Sequence, residues 1–201
     1  IKELSDAFRS FPDETFSYVM GKYTAPVIGR IEAEIEKTRK QRRDNSYFAD
    51  QYGEMLYQNT LKHITYLRPI FGNPDDPGLE YQIIADKVAN EIFLCAVDYF
   101  NALIKQTDAH DPGEKALKLG GLAMRVAVGQ RLGTRIQENL SAIQEWIKAK
   151  PARERQQEIQ LLIHEITNQL KAISEGMSQD PDQLPALVKN LSHGCVYKLL
   201  I

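Results

Sequence analysis

The stretch IQLLIHEITNQLKAI, residues 159–173, decides the fold class. Its large apolar side chains recur every three or four positions, at Ile159, Leu162, Ile163, Ile166, Leu170 and Ile173. Because an α-helix makes one turn in 3.6 residues, this spacing places them on one face of a helix. A one-sided apolar stripe favours packing against other apolar surface in water. The stretch therefore predicts a helix that packs against other helices.

The same periodicity recurs along most of the chain, and no segment keeps the alternation of a strand. We therefore predict an all-α fold, either an antiparallel multi-helix bundle or a solenoid-like helical array, with seven to eight helices. One or two of them are expected within residues 1–20. The other predicted helices cover about 24–43, 47–67, 79–105, 114–147, 151–176 and 181–191.

Glycine and proline mark the predicted helix ends. Gly21 is expected to end the first region, and Pro26 to lie in the first turn of the next helix, where its missing N–H costs nothing. Pro69 is expected to stop the helix before the loop 71–78. Within 114–147, the helix is expected to break or kink near Gly120–Gly121 or Gly133, because each glycine costs up to ~1 kcal/mol in a helix.

Composition and charge limit the classes to which the chain can belong. Of its 201 residues, 43% are hydrophobic and 26% are charged, which is usual for a globular domain with a sizeable core. The net charge of −2 gives no overall attraction to nucleic acid or to an anionic membrane. The longest apolar run, residues 92–97, is far shorter than the ~20 residues that cross a bilayer. We expect no membrane and no sequence-specific nucleic acid among the partners.

Cysteine usage and the chain ends bear on the setting of the protein. Cys95 and Cys195 are too few for a disulfide framework, which suits the reducing cytoplasm. Cys95 lies in the most apolar stretch and is expected to be a small buried hydrophobe. The chain begins at Ile1 and ends on the apolar segment 195–201. We therefore expect a single helical domain, 1–201, that is a fragment of a longer polypeptide.

A run of basic residues at positions 37–43, in the helix predicted over 24–43, is the main candidate for a binding surface. A run of this kind is typical of a solvated helix face, here supported by the pairing of Glu36 with Lys40. Aromatic residues follow it directly, and arginine and aromatic side chains supply much of the binding energy at protein interfaces. The residues predicted to contact a partner are Arg39, Arg42, Arg43 and Tyr47.

These observations predict a protein–protein interaction or scaffold domain, or a regulatory domain, within a larger protein. Its partner is expected to be another protein or a neighbouring domain of the same polypeptide. No catalytic residue and no cofactor are predicted, and an enzyme is the less favoured class.

The alternative rests on histidines and carboxylates. His63, the pair His110-Asp111 and a later acid, Asp180 or Asp182, follow one another in the chain. This order resembles the HD-domain metal-dependent phosphohydrolases, which are all-helical. The resemblance implies hydrolysis of a phosphoester by metal-activated water, with His63, His110 and Asp111 as metal ligands.

Overall fold

Helices make up nearly all of the described chain. The computed structural model describes residues 12–71, 77–104 and 111–179. They form six α-helices and one 3-10 turn at Ser46–Phe48, and no strand occurs in these three ranges. The helices are α1 (Asp13–Asp44), α2 (Ala49–Phe71), α3 (Leu79–Leu103), α4 (Gly113–Val126), α5 (Gln130–Lys148) and α6 (Lys150–Gln179). The predicted all-α fold is confirmed.

The predicted count of seven to eight helices is slightly too high for the part of the chain described. Residues 13–44 form a single helix. No helix ends at Gly21, and Pro26 lies well inside this helix and not in the first turn of a new one. Within this helix, the hydroxyl of Thr24 donates to the Met20 carbonyl at 2.9 Å. The helix expected over 181–191, and the region 1–11, lie outside the described residues.

Helix α3 is the centre of the fold, as its apolar sequence predicts. Glu91, Ile92, Phe93, Cys95 and Ala96 are all buried, so the helix is covered on several sides. It packs against α1, α2 and α4. Its observed bounds agree with the predicted helix over 79–105 to within two residues.

The break between α4 and α5 lies at residues 127–129, and not at Gly120–Gly121 or Gly133. The carboxylate of Asp86, on α3, accepts hydrogen bonds from the backbone N–H groups of Val128 at 2.8 Å and Gly129 at 3.0 Å. A Cβ on Gly129 would collide with this carboxylate. A negative charge at a helix N-terminus is favourable, so Asp86 fixes the point at which α5 begins.

Helix α5 packs through one face. Ile136 and Ile143 are buried, and Leu140 fills the space beside Gly120 of α4. The ring of Trp146 packs edge-on against Phe100 of α3, with the two ring centroids 5.1 Å apart. The glycine at position 120 therefore leaves room for the Leu140 side chain of α5.

The chain divides into two compact units, residues 1–147 and 148–201. Helix α6 belongs to the second unit, and it forms over the residues that the apolar stripe predicts. Among the described residues of the stripe, Ile159, Ile163 and Leu170 are exposed, whereas Leu162 and Ile166 are half-buried. That residues 1–201 form one domain stays a prediction.

Two glycine-to-alanine substitutions test the packing of the first unit. At Gly53 a Cβ would lie 2.9 Å from a methyl group of the buried Leu119 and 3.0 Å from the Cβ of Cys95. At Gly121 no atom lies within 4 Å. We predict that Gly53→Ala lowers the free energy of unfolding by about 1–3 kcal/mol through overpacking. Gly121→Ala should raise it by about 0.4–1 kcal/mol.

Urea unfolding of the two variants, followed by circular dichroism, measures both effects. Equal stabilisation by both substitutions would contradict the close approach of α2, α3 and α4 at Gly53.

Candidate functional site

A buried carboxylate lies at the contact between α1 and α3. The side chain of Glu91 is only 1% exposed, and each of its two oxygens accepts from a different arginine. The Nε of Arg42 donates to Oε1 at 2.9 Å, and the Nε of Arg39 donates to Oε2 at 3.3 Å. Arg42 also donates to Asp98, one helical turn beyond Cys95. We call Arg39, Arg42, Glu91 and Asp98 the ionic cluster.

The ionic cluster changes the interpretation of the basic run. Arg42 is buried and is held by two carboxylates, so its guanidinium joins α1 to α3 and does not face solvent. Arg39 is half-buried and pairs with Glu91 and with Glu36. The cationic run is visible in the sequence, but the carboxylates that pair with Arg39 and Arg42 lie about 50 residues further along the chain. The sequence therefore did not show that these arginines are paired.

The ionic cluster keeps its arginine charged. Burial alone would lower the pKa of the Arg42 guanidinium, but the hydrogen bonds to Glu91 and Asp98 outweigh it and raise that pKa. Among the described residues, no buried side-chain oxygen or nitrogen is left without a hydrogen-bond partner. A fully satisfied cluster stabilises the contact between two helices and leaves no reactive group unpaired.

Cys95 lies beside the ionic cluster and is fully buried. Burial is the main cause that raises the pKa of its thiol from 9.0 to about 12, and the nearby charge of Glu91 adds to the effect. A reactive cysteine needs the opposite, a lowered pKa and access to solvent. The structure therefore assigns Cys95 to the core, as the sequence predicts.

The other two predicted contact residues are exposed. Arg43 lies at the end of α1, and Tyr47, in the 3-10 turn, is 47% exposed. The Tyr47 N–H donates to the side chain of Asn45, which fixes the turn. The next residue, Phe48, is equally exposed. We call Arg43, Tyr47 and Phe48, three exposed residues close together in the chain, the corner patch.

The residues of the metal-site alternative are only partly described. His63 lies on α2, where burial and the charges of Lys62 and Arg30 lower its pKa. Asp111 accepts from the Gly113 N–H at 2.9 Å, at the start of α4. His110, Asp180 and Asp182 lie outside the described residues. Within the ranges that are described, no three His, Cys, Asp or Glu side chains come together as a metal site. The phosphohydrolase alternative gains no geometric support.

A cleft of about 400 Å³ lies beside the Asp86 cap. Its lining includes Gln82, Asp86, Arg131 and Arg135. The guanidinium of Arg135 lies 5.3 Å from the centroid of the Phe93 ring, a distance typical of a cation–π contact. The N–H groups of Val128 and Gly129 that face Asp86 are already bonded to it. The Asp86 carboxylate therefore already accepts from the two backbone N–H groups that an anionic ligand would need here.

The most unusual surface belongs to α6. Ile163 is 56% exposed, Leu170 57% and Ile159 nearly half exposed, whereas Ile166 between them is half-buried. We call Ile159, Ile163, Ile166 and Leu170 the seam. No described side chain of this 30-residue helix is buried. Contiguous exposed apolar surface usually marks a site of interaction.

No described helix is both long enough and apolar enough to cross a membrane.

Comparison of the chain with protein-family models, with curated proteins and with solved structures finds no match in any of the three. The function therefore has to be inferred from the geometry of the described residues.

Neighbouring arginines with opposite surroundings give a direct test of the ionic cluster. We predict that Arg42→Ala lowers the free energy of unfolding by about 3 kcal/mol, because it leaves the buried Glu91 with one partner. Arg43→Ala, on the exposed side of the same helix turn, should change it by less than about 0.5 kcal/mol. Urea unfolding measures both. Similar values for the two variants would contradict the burial of Arg42.

Cys95 gives a prediction for alkaline pH. The unfolded thiol loses its proton near its ordinary pKa of 9.0, whereas the folded thiol keeps it until about 12. The folded state thus binds the proton more tightly, and the contribution of this group to stability falls as pH rises above 9.0. We expect the stability advantage of the natural protein over Cys95→Ala to shrink by about 1.4 kcal/mol between about pH 8 and about pH 10.

Urea unfolding of both proteins at the two pH values measures this change. Tyr81 and Tyr99, whose pKa values burial also raises, are present in both proteins, so their contributions cancel. A constant difference across the range would contradict the raised pKa of the Cys95 thiol.

Proposed function

We propose that this chain is a protein–protein interaction domain, in which α1 to α5 form a packed body and α6 binds a partner helix through the seam. The observation that carries the proposal is the exposure of the seam on a long regular helix. Short connections, such as residues 45–48 and 127–129, favour an antiparallel arrangement of the body. A scaffold or regulatory role within a larger protein is the setting that we infer for such a domain.

The spacing of the seam suits a helical partner. Ile159, Ile163, Ile166 and Leu170 are separated by four, three and four residues, the alternation that forms the contact line of a coiled coil. The same interval relates Ile31, Ile35, Thr38 and Arg42 on α1, which are all buried in the body. This protein therefore already uses that spacing on one helix to make a helix–helix contact.

Burial of the exposed area of the seam would contribute to association. Full burial of one leucine or isoleucine side chain contributes roughly 1.5–3 kcal/mol. Because the seam side chains are only about half exposed, the four of them offer roughly 3–6 kcal/mol from this side of the contact, against an association cost of roughly 4–15 kcal/mol. The seam thus supports binding of moderate strength, and additional contacts would strengthen it.

The corner patch is a second surface that we propose for partner binding. Tyr47 and Phe48 are exposed aromatic residues, and the exposed Arg43 precedes them in the chain; its cation would favour an acidic segment of the partner. Arg42 is no part of this surface, since its charge is used within the ionic cluster.

Site-specific photo-cross-linking in cells tests the use of the seam even while the identity of the partner is open. A benzophenone amino acid in place of Ile163 should form covalent adducts with a second polypeptide, because this position lies in the contact. The matched control replaces Leu161, which is 70% exposed but lies on the opposite side of the helix. We expect adducts from position 163 and none, or far fewer, from position 161.

Mass spectrometry of the adducts identifies the cross-linked polypeptide, whether it is another protein or this chain. The absence of adducts from position 163, or equal yields from both positions, would contradict a specific interaction through the seam.

A further inference from the structure

We propose that the exposed face of α5 binds an acidic segment of another polypeptide. This surface belongs to a different helix from the seam, so the inference goes beyond the proposed function and does not depend on it. Three features support it: basic residues are concentrated in α4 and the first half of α5, two of the arginines have no carboxylate partner, and a row of hollows lies beside those two.

Basic residues are concentrated in the segment 115–137. It contains five of them and no aspartate or glutamate, although the net charge of the whole chain is −2. The five are Lys115, Lys118, Arg125, Arg131 and Arg135. Lys115 pairs with Asp50 of α2 at 2.9 Å. Lys118 pairs with Glu54 of the same helix at 2.6 Å, so only the three arginines remain to attract a partner.

Two of these arginines are well placed to bind carboxylates. Arg131 and Arg135 lie one helical turn apart on α5, and both are exposed. Within the described part of the chain, neither guanidinium forms an ion pair. The contact of Arg135 with the Phe93 ring favours one position of its side chain and leaves the N–H groups at its edge available. A guanidinium can donate two parallel hydrogen bonds to one carboxylate, so these side chains suit aspartate or glutamate.

Three hollows cross the exposed face of α5, with volumes of about 400, 480 and 490 Å³. Gln130 lines all three, and Arg131 and Arg135 line the first two. The first hollow reaches Gln82 of α3, and the third reaches Met124 of α4. Because the hollows share lining residues and run from α3 to α4, they suit an extended segment better than a compact small molecule. We call the two arginines and these hollows the arginine strip.

Two carboxylates border the arginine strip and limit where an acidic side chain can lie. Asp86 borders the first hollow, but its oxygens accept from the N–H groups of Val128 and Gly129. Glu138 borders the other two hollows. Since like charges facing each other are unfavourable, we expect the partner's carboxylates beside the arginines and a neutral residue near Glu138.

The surroundings of the two arginines favour a polypeptide over a nucleic acid. None of the residues that line the three hollows is aromatic, so no ring is offered for the stacking of bases. Two arginines also allow few phosphate contacts, and affinity for nucleic acid depends on the number of such contacts. An acidic polypeptide segment needs only the paired contacts that the strip provides.

Fluorescence anisotropy measures the binding of a fluorescein-labelled octaglutamate peptide to the purified full chain at low ionic strength. We expect saturable binding by the natural protein. The double variant Arg131→Gln, Arg135→Gln should weaken it about tenfold, because both guanidinium contacts with the peptide are lost. The absence of binding to the natural protein would overturn the proposal.

The matched control is the double variant Lys40→Gln, Arg125→Gln. It removes the same total charge from two exposed positions that line none of the three hollows. It should change the dissociation constant by less than about twofold. Equal losses in the two double variants would overturn the proposal, because overall charge and not the arginine strip would then hold the peptide. The emission of Trp146, which packs against Phe100, should be the same in all three proteins and shows that they are folded.

The variant Glu138→Gln tests the position of the peptide in the opposite direction. Removal of this carboxylate from the border of the strip should strengthen peptide binding about twofold, because a negative charge near the glutamates is lost. Unchanged or weaker binding would contradict the placement of the acidic segment on the arginine strip.

A fluorescein-labelled oligothymidylate of similar length distinguishes the two classes of polyanion. It should bind more weakly than octaglutamate. Tighter binding that is lost in the Arg131→Gln, Arg135→Gln variant would overturn the proposal, because the strip would then recognise phosphates. None of these variants changes a seam residue, so a failure here leaves the proposed use of the seam to its own cross-linking test.

Discussion

The burial of one carboxylate constrains the arrangement of the helices more than any other single group. Glu91 lies within the most apolar helix, and its charge is tolerated there because Arg39 and Arg42 each contact one of its oxygens. An unpaired charge at this position would cost several kcal/mol. The long helix α1 therefore has to lie against α3 at one register, with Ile31 and Ile35 in the core. The rest of the body is packed around that contact.

Local signals allowed much of the helical content to be predicted, and α3 shows why. Its apolar residues repeat with the period of a helix, and the prolines and glycines of the preceding sequence predicted a start at about residue 79, where the helix begins. Gly21 and Pro26 gave equally clear signals for a break, yet α1 continues through both. Their local costs, about 1 and 3 kcal/mol, are offset by the packing of α1 further along the chain.

The features that could not be predicted depend on partners that are distant in sequence. The break at residues 127–129 is fixed by Asp86, which lies more than 40 residues earlier. Arginine usually lies at the surface, and only the position of Glu91 in the folded chain shows that Arg42 is buried. Periodicity shows that a residue lies on a shared face of its helix. It does not show which neighbour covers that face, or whether any neighbour does.

The exposed seam has a consequence for how long this protein would persist in a cell without its proposed partner. A folded chain that shows a line of isoleucine and leucine to water resembles the damaged molecules that chaperones and proteases recognise. Binding of the proposed partner would cover that line, and the bound fraction would increase with the amount of partner present. Copies that find no companion would be removed first. The amount of this chain in the cell would then be limited by the amount of partner available to bind it.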